Sequence, residues 1–115
     1  MKKILLAIAM TATVATSAWA GGDISEGKAA VEKYGCAACH GADLNSPIDP
    51  TYPKLAGQHQ NYLAHALVAY RRGGGVANGR VNAIMNGQAK PLTDKDIANI
   101  TAYIASLPGN LVVQK

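Results

Sequence analysis

The sequence contains no phenylalanine, and its aromatic residues are one tryptophan and five tyrosines. A core built on large aromatic side chains is therefore excluded, and a small chain with this shortage relies on a disulfide, a metal or a bulky cofactor. Charged residues amount to 16% against 49% hydrophobic, which excludes a charge-rich disordered polymer. At 115 residues the chain has room for one domain, and not for a large α/β enzyme, a solenoid of three or more long repeats or a polytopic membrane protein. It has no internal repeat and no convincing strand alternation. Its positive charges are scattered, with no run longer than Arg71-Arg72, so there is no nucleic-acid footprint.

No apolar run reaches the ~20 residues that a membrane span needs. The first twenty residues nevertheless have three parts: Lys2-Lys3, an apolar stretch from Ile4 to Val14, and Ala18-Trp19-Ala20 with small residues at the two positions a signal peptidase reads. This is the pattern of a secretory signal peptide, residues 1–20, removed before residues 21–115 fold as one domain. No cysteine follows the expected cleavage site, which argues against lipid attachment there. Loss of Lys2 and Lys3 would take two charges from the formal +4. Export implies an oxidising compartment, where two cysteines would ordinarily pair.

Three helical patterns are expected in residues 21–115. Over Asp23 to Tyr34, Ile24, Gly27, Val31 and Tyr34 share a face. Over Gln60 to Arg72, Leu63, Ala66, Leu67 and Tyr70 do so, with Arg71-Arg72 at the negative helix end and Gly73-Gly74-Gly75 as a stop. Over Asp94 to Leu107, Ile97, Ile100, Tyr103, Ile104 and Leu107 form a stripe, preceded by the capping-box pair Thr93 and Asp96. Residues 42–58 and 73–82, rich in proline or glycine, read as loops, the second as a mobile one. Tyr62 and Tyr70 are expected in the core, Gln88 in a solvated loop, and His59 at the exposed start of the second helix.

Cys36-Ala37-Ala38-Cys39-His40 is a C-x-x-C-H sequence, the attachment signature of c-type haem. Two thiols one helical turn apart can form thioethers with the two haem vinyl groups, and the adjacent imidazole reaches the iron. A thioredoxin-like pair would call for a βαβ context. A zinc site would need His59 or His65, which are not a closely spaced ligand pair. A structural disulfide would be strained at this spacing. Opposite His40 the iron needs a second axial ligand, and Met85 is the one methionine left once Met1 and Met10 are removed with the leader. It lies in an expected loop, residues 82–87, that could fold over a ring face.

The chain resembles the class I c-type cytochromes of bacteria, and among them the single-haem domains of the cytochrome c4 kind. Gly35-Cys36-Ala37-Ala38-Cys39-His40-Gly41, Tyr52-Pro53-Lys54-Leu55-Ala56-Gly57-Gln58, and Ile84-Met85 followed by Leu92-Thr93-Asp94 and Ala102-Tyr103-Ile104 carry the resemblance in that order. The c4 proteins carry two such domains in tandem, and this sequence holds one attachment motif.

The resemblance implies an all-α fold, with three to four short helices and loops wrapped around one covalently bound haem c. It makes Cys36 and Cys39 the covalent attachment points and His40 and Met85 the axial metal ligands. It makes Pro53 the acceptor of the His40 N–H, and Gly27 the residue against which Tyr103 packs. A periplasmic electron carrier with no catalytic residues is the expected function. Its expected partners are redox proteins: a membrane cytochrome complex, a terminal oxidase, or a periplasmic reductase or dehydrogenase. The alternatives are a haem subunit of a larger dehydrogenase or oxidase complex, and an open-iron protein that binds a gas or peroxide. Neither nucleic acid nor stable membrane insertion after leader cleavage is expected.

Overall fold

A computed structural model of the chain describes residues 3, 4, 7, 9, 10 and 21–111. Most of the expected leader, including its cleavage site, lies outside the described residues. Five helices and no strand occur among the described residues: α1 (Ile24–Lys33), α2 (Ala37–His40), α3 (Gln60–Arg72), α4 (Ala83–Ala89) and α5 (Asp94–Ser106).

Helix α5 is the hub, packing on α1 along one side and on α3 along another, while α3 also carries α4. Its apolar spacing explains this position. Ile97, Ile100 and Ile104 are all buried, each contributing about 1.5–3 kcal/mol by removal from water. The helix starts as expected, with the Thr93 side chain accepting from the Asp96 amide and the Asp96 carboxylate accepting from the Thr93 amide, both at 3.0 Å.

Where α1 crosses α5, Gly27 is buried, and a Cβ there would lie 2.0 Å from the Asn99 carbonyl oxygen and 2.8 Å from Tyr103 Cβ. Only glycine allows that approach. Polar links close the same seam. The Asp23 amide donates to Asn99 Oδ1 and Asn99 Nδ2 donates to Glu26 Oε2, both at 2.8 Å. The Tyr34 hydroxyl donates to Asp96 Oδ2 at 3.0 Å. Asn99 is buried and both ends of its amide are thus satisfied, as burial demands.

Three expectations are corrected. Met85 lies in helix α4 and not in a loop, because Asn82 caps the segment: its Oδ1 accepts from the amides of Ile84 and Met85. Ile24 is 52% exposed and does not join the core face of α1, because α5 covers the Gly27 and Val31 side of that helix. Tyr62 is 51% exposed, because it stands at the edge of the cavity described below and not beneath it.

Candidate functional site

Helix α1 ends at Tyr34, and Gly35 turns the chain in the left-handed region with φ 68°. The Cys36 amide then donates back to the Val31 carbonyl at 3.1 Å, so the attachment segment starts at a fixed point on the end of α1. Residues 37–40 make one helical turn, with Cys36 and Cys39 both half-buried and both thiols free. Burial is the largest influence on the Cys36 thiol and pushes its pKa up, which keeps it neutral. Gly41, at φ 92°, ends the turn immediately after His40, and a Cβ there would lie 2.2 Å from the Ser46 carbonyl oxygen.

His40 is buried, at 7% exposure, and its Nδ1 lies 2.9 Å from the Pro53 carbonyl oxygen. A carbonyl only accepts, so Nδ1 is the donor, and in the neutral imidazole this leaves the lone pair on Nε2. That is the tautomer in which imidazole serves as a metal ligand, with the second nitrogen oriented by a backbone carbonyl. The loop supplying that carbonyl is tied to the core through Leu44, whose carbonyl accepts from the amides of Leu55 and Ala56 at 2.8 and 2.9 Å. Leu44 is almost fully buried and sits at φ 55°, a backbone conformation a non-glycine residue adopts only when its surroundings enforce it.

Cys36, Cys39, His40, Pro53 and Met85 all line one cavity of about 320 Å³. Cavities of ~300–1,000 Å³ are the size of small-molecule and cofactor sites. Its apolar wall comes from α3 through Leu63 and Leu67 and from α5 through Ile100 and Ile104. Met85 is half-buried and held in place by its neighbour Asn86, whose Nδ2 donates to the carbonyls of Tyr70 at 2.7 Å and Arg80 at 2.9 Å. Residues 36–40 and Met85, distant in sequence, thus meet around one space. His59 and His65 are exposed and do not line it. Among the described residues no group of three or more His, Cys, Asp or Glu side chains is placed to hold a metal ion. Gln88, expected in a solvated loop, is instead part of helix α4, where it is exposed and lines the cavity.

One further group on the cavity lining left no sign in the sequence. Arg80 lies over the rings of Tyr62 and Tyr70, its guanidinium carbon 5.7 and 5.5 Å from their centroids. All three line the cavity. Hydrogen bonding with Tyr62 and then Tyr70 raises the Arg80 pKa. A lone arginine in a glycine-rich stretch gives no sequence signal of such a placement.

The arrangement has counterparts in known proteins. The family model described as "Cytochrome c" matches residues 24–108. The chain is 38% identical to cytochrome c4 of Stutzerimonas stutzeri over 96% of its own length and 53% of that protein's. It is 42% identical to cytochrome c-554(548) of Halomonas halodenitrificans over 74% of its length and 96% of that protein's. The crystal structure of reduced recombinant cytochrome c4 from Pseudomonas stutzeri superposes with a TM-score of 0.66 and 37% identity, covering 79% of this chain and 48% of that one. The chain therefore spans about half the length of the cytochrome c4 proteins it matches.

Proposed function

The chain belongs to the cytochrome c family, as a c4-like class I member with covalently bound haem c, and from that premise we propose that it is a periplasmic single-electron shuttle whose iron is held between His40 and Met85. The carrier role and the redox protein partners are supported by the likeness to cytochrome c4 and cytochrome c-554(548); with the axial ligands, the compartment and the identity of those partners they make up the proposal. The observation that carries it is the convergence of Cys36, Cys39, His40 and Met85 on one apolar-walled cavity, with the His40 Nδ1 already committed to Pro53.

The residues present fit the group. The two free thiols suit thioether attachment, and the Nε2 of His40 and the Met85 thioether are an imidazole–thioether donor pair suited to iron. When bound, the haem supplies a one-electron ferrous/ferric couple. Met85 tunes that couple upward, because a thioether favours the ferrous state. Leu63, Leu67, Ile100 and Ile104 act in the same direction by keeping water and its dielectric screening away from the added charge of the ferric state. Pro53 and the Leu44 clamp fix the imidazole so that it does not reorient when the charge changes. His40 and Met85 would both be engaged in holding the iron, so the chemistry the group would supply here is electron transfer and not bond making.

Residues 1–20 act in this reading as a leader cleaved after Ala20. Among the described residues no helix is long and apolar enough to cross a membrane. The specific partners proposed are a membrane cytochrome complex, a terminal oxidase, or a periplasmic reductase or dehydrogenase. The test is a reductive titration of the native holoprotein followed by visible spectroscopy, with carbon monoxide then added to the reduced form. One haem per chain, a ferric methionine-to-iron charge-transfer band and no response to carbon monoxide are expected. Rapid carbon monoxide binding would replace the shuttle by an open-iron protein. Mass spectrometry of the same material should begin at Gly21, and a retained leader would refute the compartment.

A further inference from the structure

The cavity lining contains two charged side chains, Lys54 and Arg80, both cationic, and no Asp or Glu. An apolar pocket with only positive charge around it is complementary to an acidic ligand. Arg80 is the better placed of the two. Its guanidinium is steadied over Tyr62 and Tyr70, which also line the pocket. Its backbone is pinned at both ends: its amide donates to the Ala69 carbonyl at 3.0 Å, and its carbonyl accepts from Asn86 Nδ2 at 2.9 Å. Asn86 follows Met85, so the same contact ties Arg80 to the segment that carries Met85. Among the described residues Arg80 forms no ion pair with a carboxylate, whereas Arg71 is committed to Asp94. Lys54 is exposed and makes no ring contact among the described residues.

We propose that Arg80, held between Tyr62 and Tyr70, is the binding site for a propionate carboxylate of the haem and helps to set the reduction potential. This rests on the reading that the haem occupies this cavity. A propionate drawn toward an apolar wall loses water and needs a cationic partner, and a guanidinium offers a planar pair of donors matched to a carboxylate. The fixed positive charge also disfavours the ferric state through space. Arg80 binds and positions; it takes no part in iron ligation.

The test compares holoprotein variants by resonance Raman of the propionate bending modes and by reductive titration. Arg80→Met should shift a propionate mode and lower the potential. Arg80→Lys should recover part of the potential while leaving the mode shifted, because it restores charge without the planar fork. Arg72→Met removes another exposed cation, at the end of α3 and outside the cavity lining, and should leave both readings unchanged. If Arg80→Met yields no holoprotein, Tyr70→Phe should still give a smaller shift of the same mode, and no shift there overturns the proposal. Unchanged modes and potential in Arg80→Met, an equal fall in Arg72→Met, or the whole effect in Lys54→Met would also overturn it. The ferric methionine-to-iron band is recorded for the native protein alongside, so that its absence refutes Met85 ligation separately from the propionate result.

Discussion

The two sides of α5 are built differently. Toward α1 the chain meets itself directly: Gly27 lets backbones touch, and Asn99, Glu26, Asp23, Tyr34 and Asp96 are paired across the seam. Toward α3 and α4 the same helix faces a cavity of about 320 Å³, with Ile100 and Ile104 on its wall. One side is completed by protein; in the proposed function the other is completed by the haem. In a chain without phenylalanine this division has a simple cause. In that reading the cofactor delivers the large flat apolar body that aromatic side chains would otherwise supply, and the helices lining the cavity leave room for it. Interiors pack to crystal-like density, so a wall left facing a void loses its contacts outright.

Removing the cofactor should therefore break the comparison most severely. Cys36→Ala with Cys39→Ala is expected to abolish covalent haem and to turn a cooperative thermal transition into a broad, low-temperature one by circular dichroism. A cooperative melt at the native temperature would mean that protein contacts alone organise both sides.

Next in size is an attack on the protein-built side. Gly27→Val places side-chain atoms where the Asn99 carbonyl and Tyr103 already sit. Overpacking of this kind costs about 1–3 kcal/mol and more where backbone must move, so denaturant unfolding of the holoprotein should show a loss at or above the upper figure. The iron spectrum should stay native, since the cavity wall is not touched.

Met85→Ala acts on the opposite side and should do the reverse. Haem stays attached through Cys36 and Cys39, the methionine-to-iron band disappears, the reduction potential falls and reduced protein begins to bind carbon monoxide. The stability loss should be near the lower end of large-to-small substitutions, about 2 kcal/mol, because Met85 is only half-buried. An unchanged ferric spectrum would place another residue on the iron, with Gln88, one helical turn further along α4, the first to examine.

The smallest effect lies at the start of α5. Thr93→Ala removes an N-cap worth about 1 kcal/mol. Asp96 sets a pH dependence at the same point. Hydrogen bonding from the Thr93 amide, the largest favourable influence, together with Tyr34, the Thr93 hydroxyl and Lys33, holds its carboxyl below the usual range. A depressed pKa gives stability that is present above the ordinary carboxylate value and lost as pH falls through the folded one. Thermal melts should therefore weaken with acidification, and Asp96→Asn should lower stability near neutrality while flattening that slope.

The protein-built side was the more legible in sequence. Apolar spacing revealed α1, α3 and α5 because each turns an apolar face inward, although Ile24 does not belong to that of α1, and the Thr93–Asp96 pair marked where α5 begins. Helix α4 was not legible: Asn82, Asn86 and Gly87 read as loop residues. What makes the segment helical is a cap from Asn82 and tertiary ties from Asn86 to Tyr70 and Arg80, none of which leaves a period in the chain. At the site, Cys36, Cys39 and His40 announce themselves because their chemistry requires fixed spacing. Pro53 was suggested by resemblance, and a hydrogen bond to its carbonyl is present. The Arg80 cluster was silent, because its partners Tyr62 and Tyr70 lie on another element and meet it only after folding.

Amide hydrogen exchange, measured by mass spectrometry on the holoprotein and on the Cys36→Ala, Cys39→Ala variant, tests the division of labour most directly. The account predicts that losing haem strips protection from α3, α4 and residues 36–58 while α1 and α5 retain part of theirs along the Gly27 crossing. Equal loss in all helices, or protection preserved in α3 and α4, would contradict it.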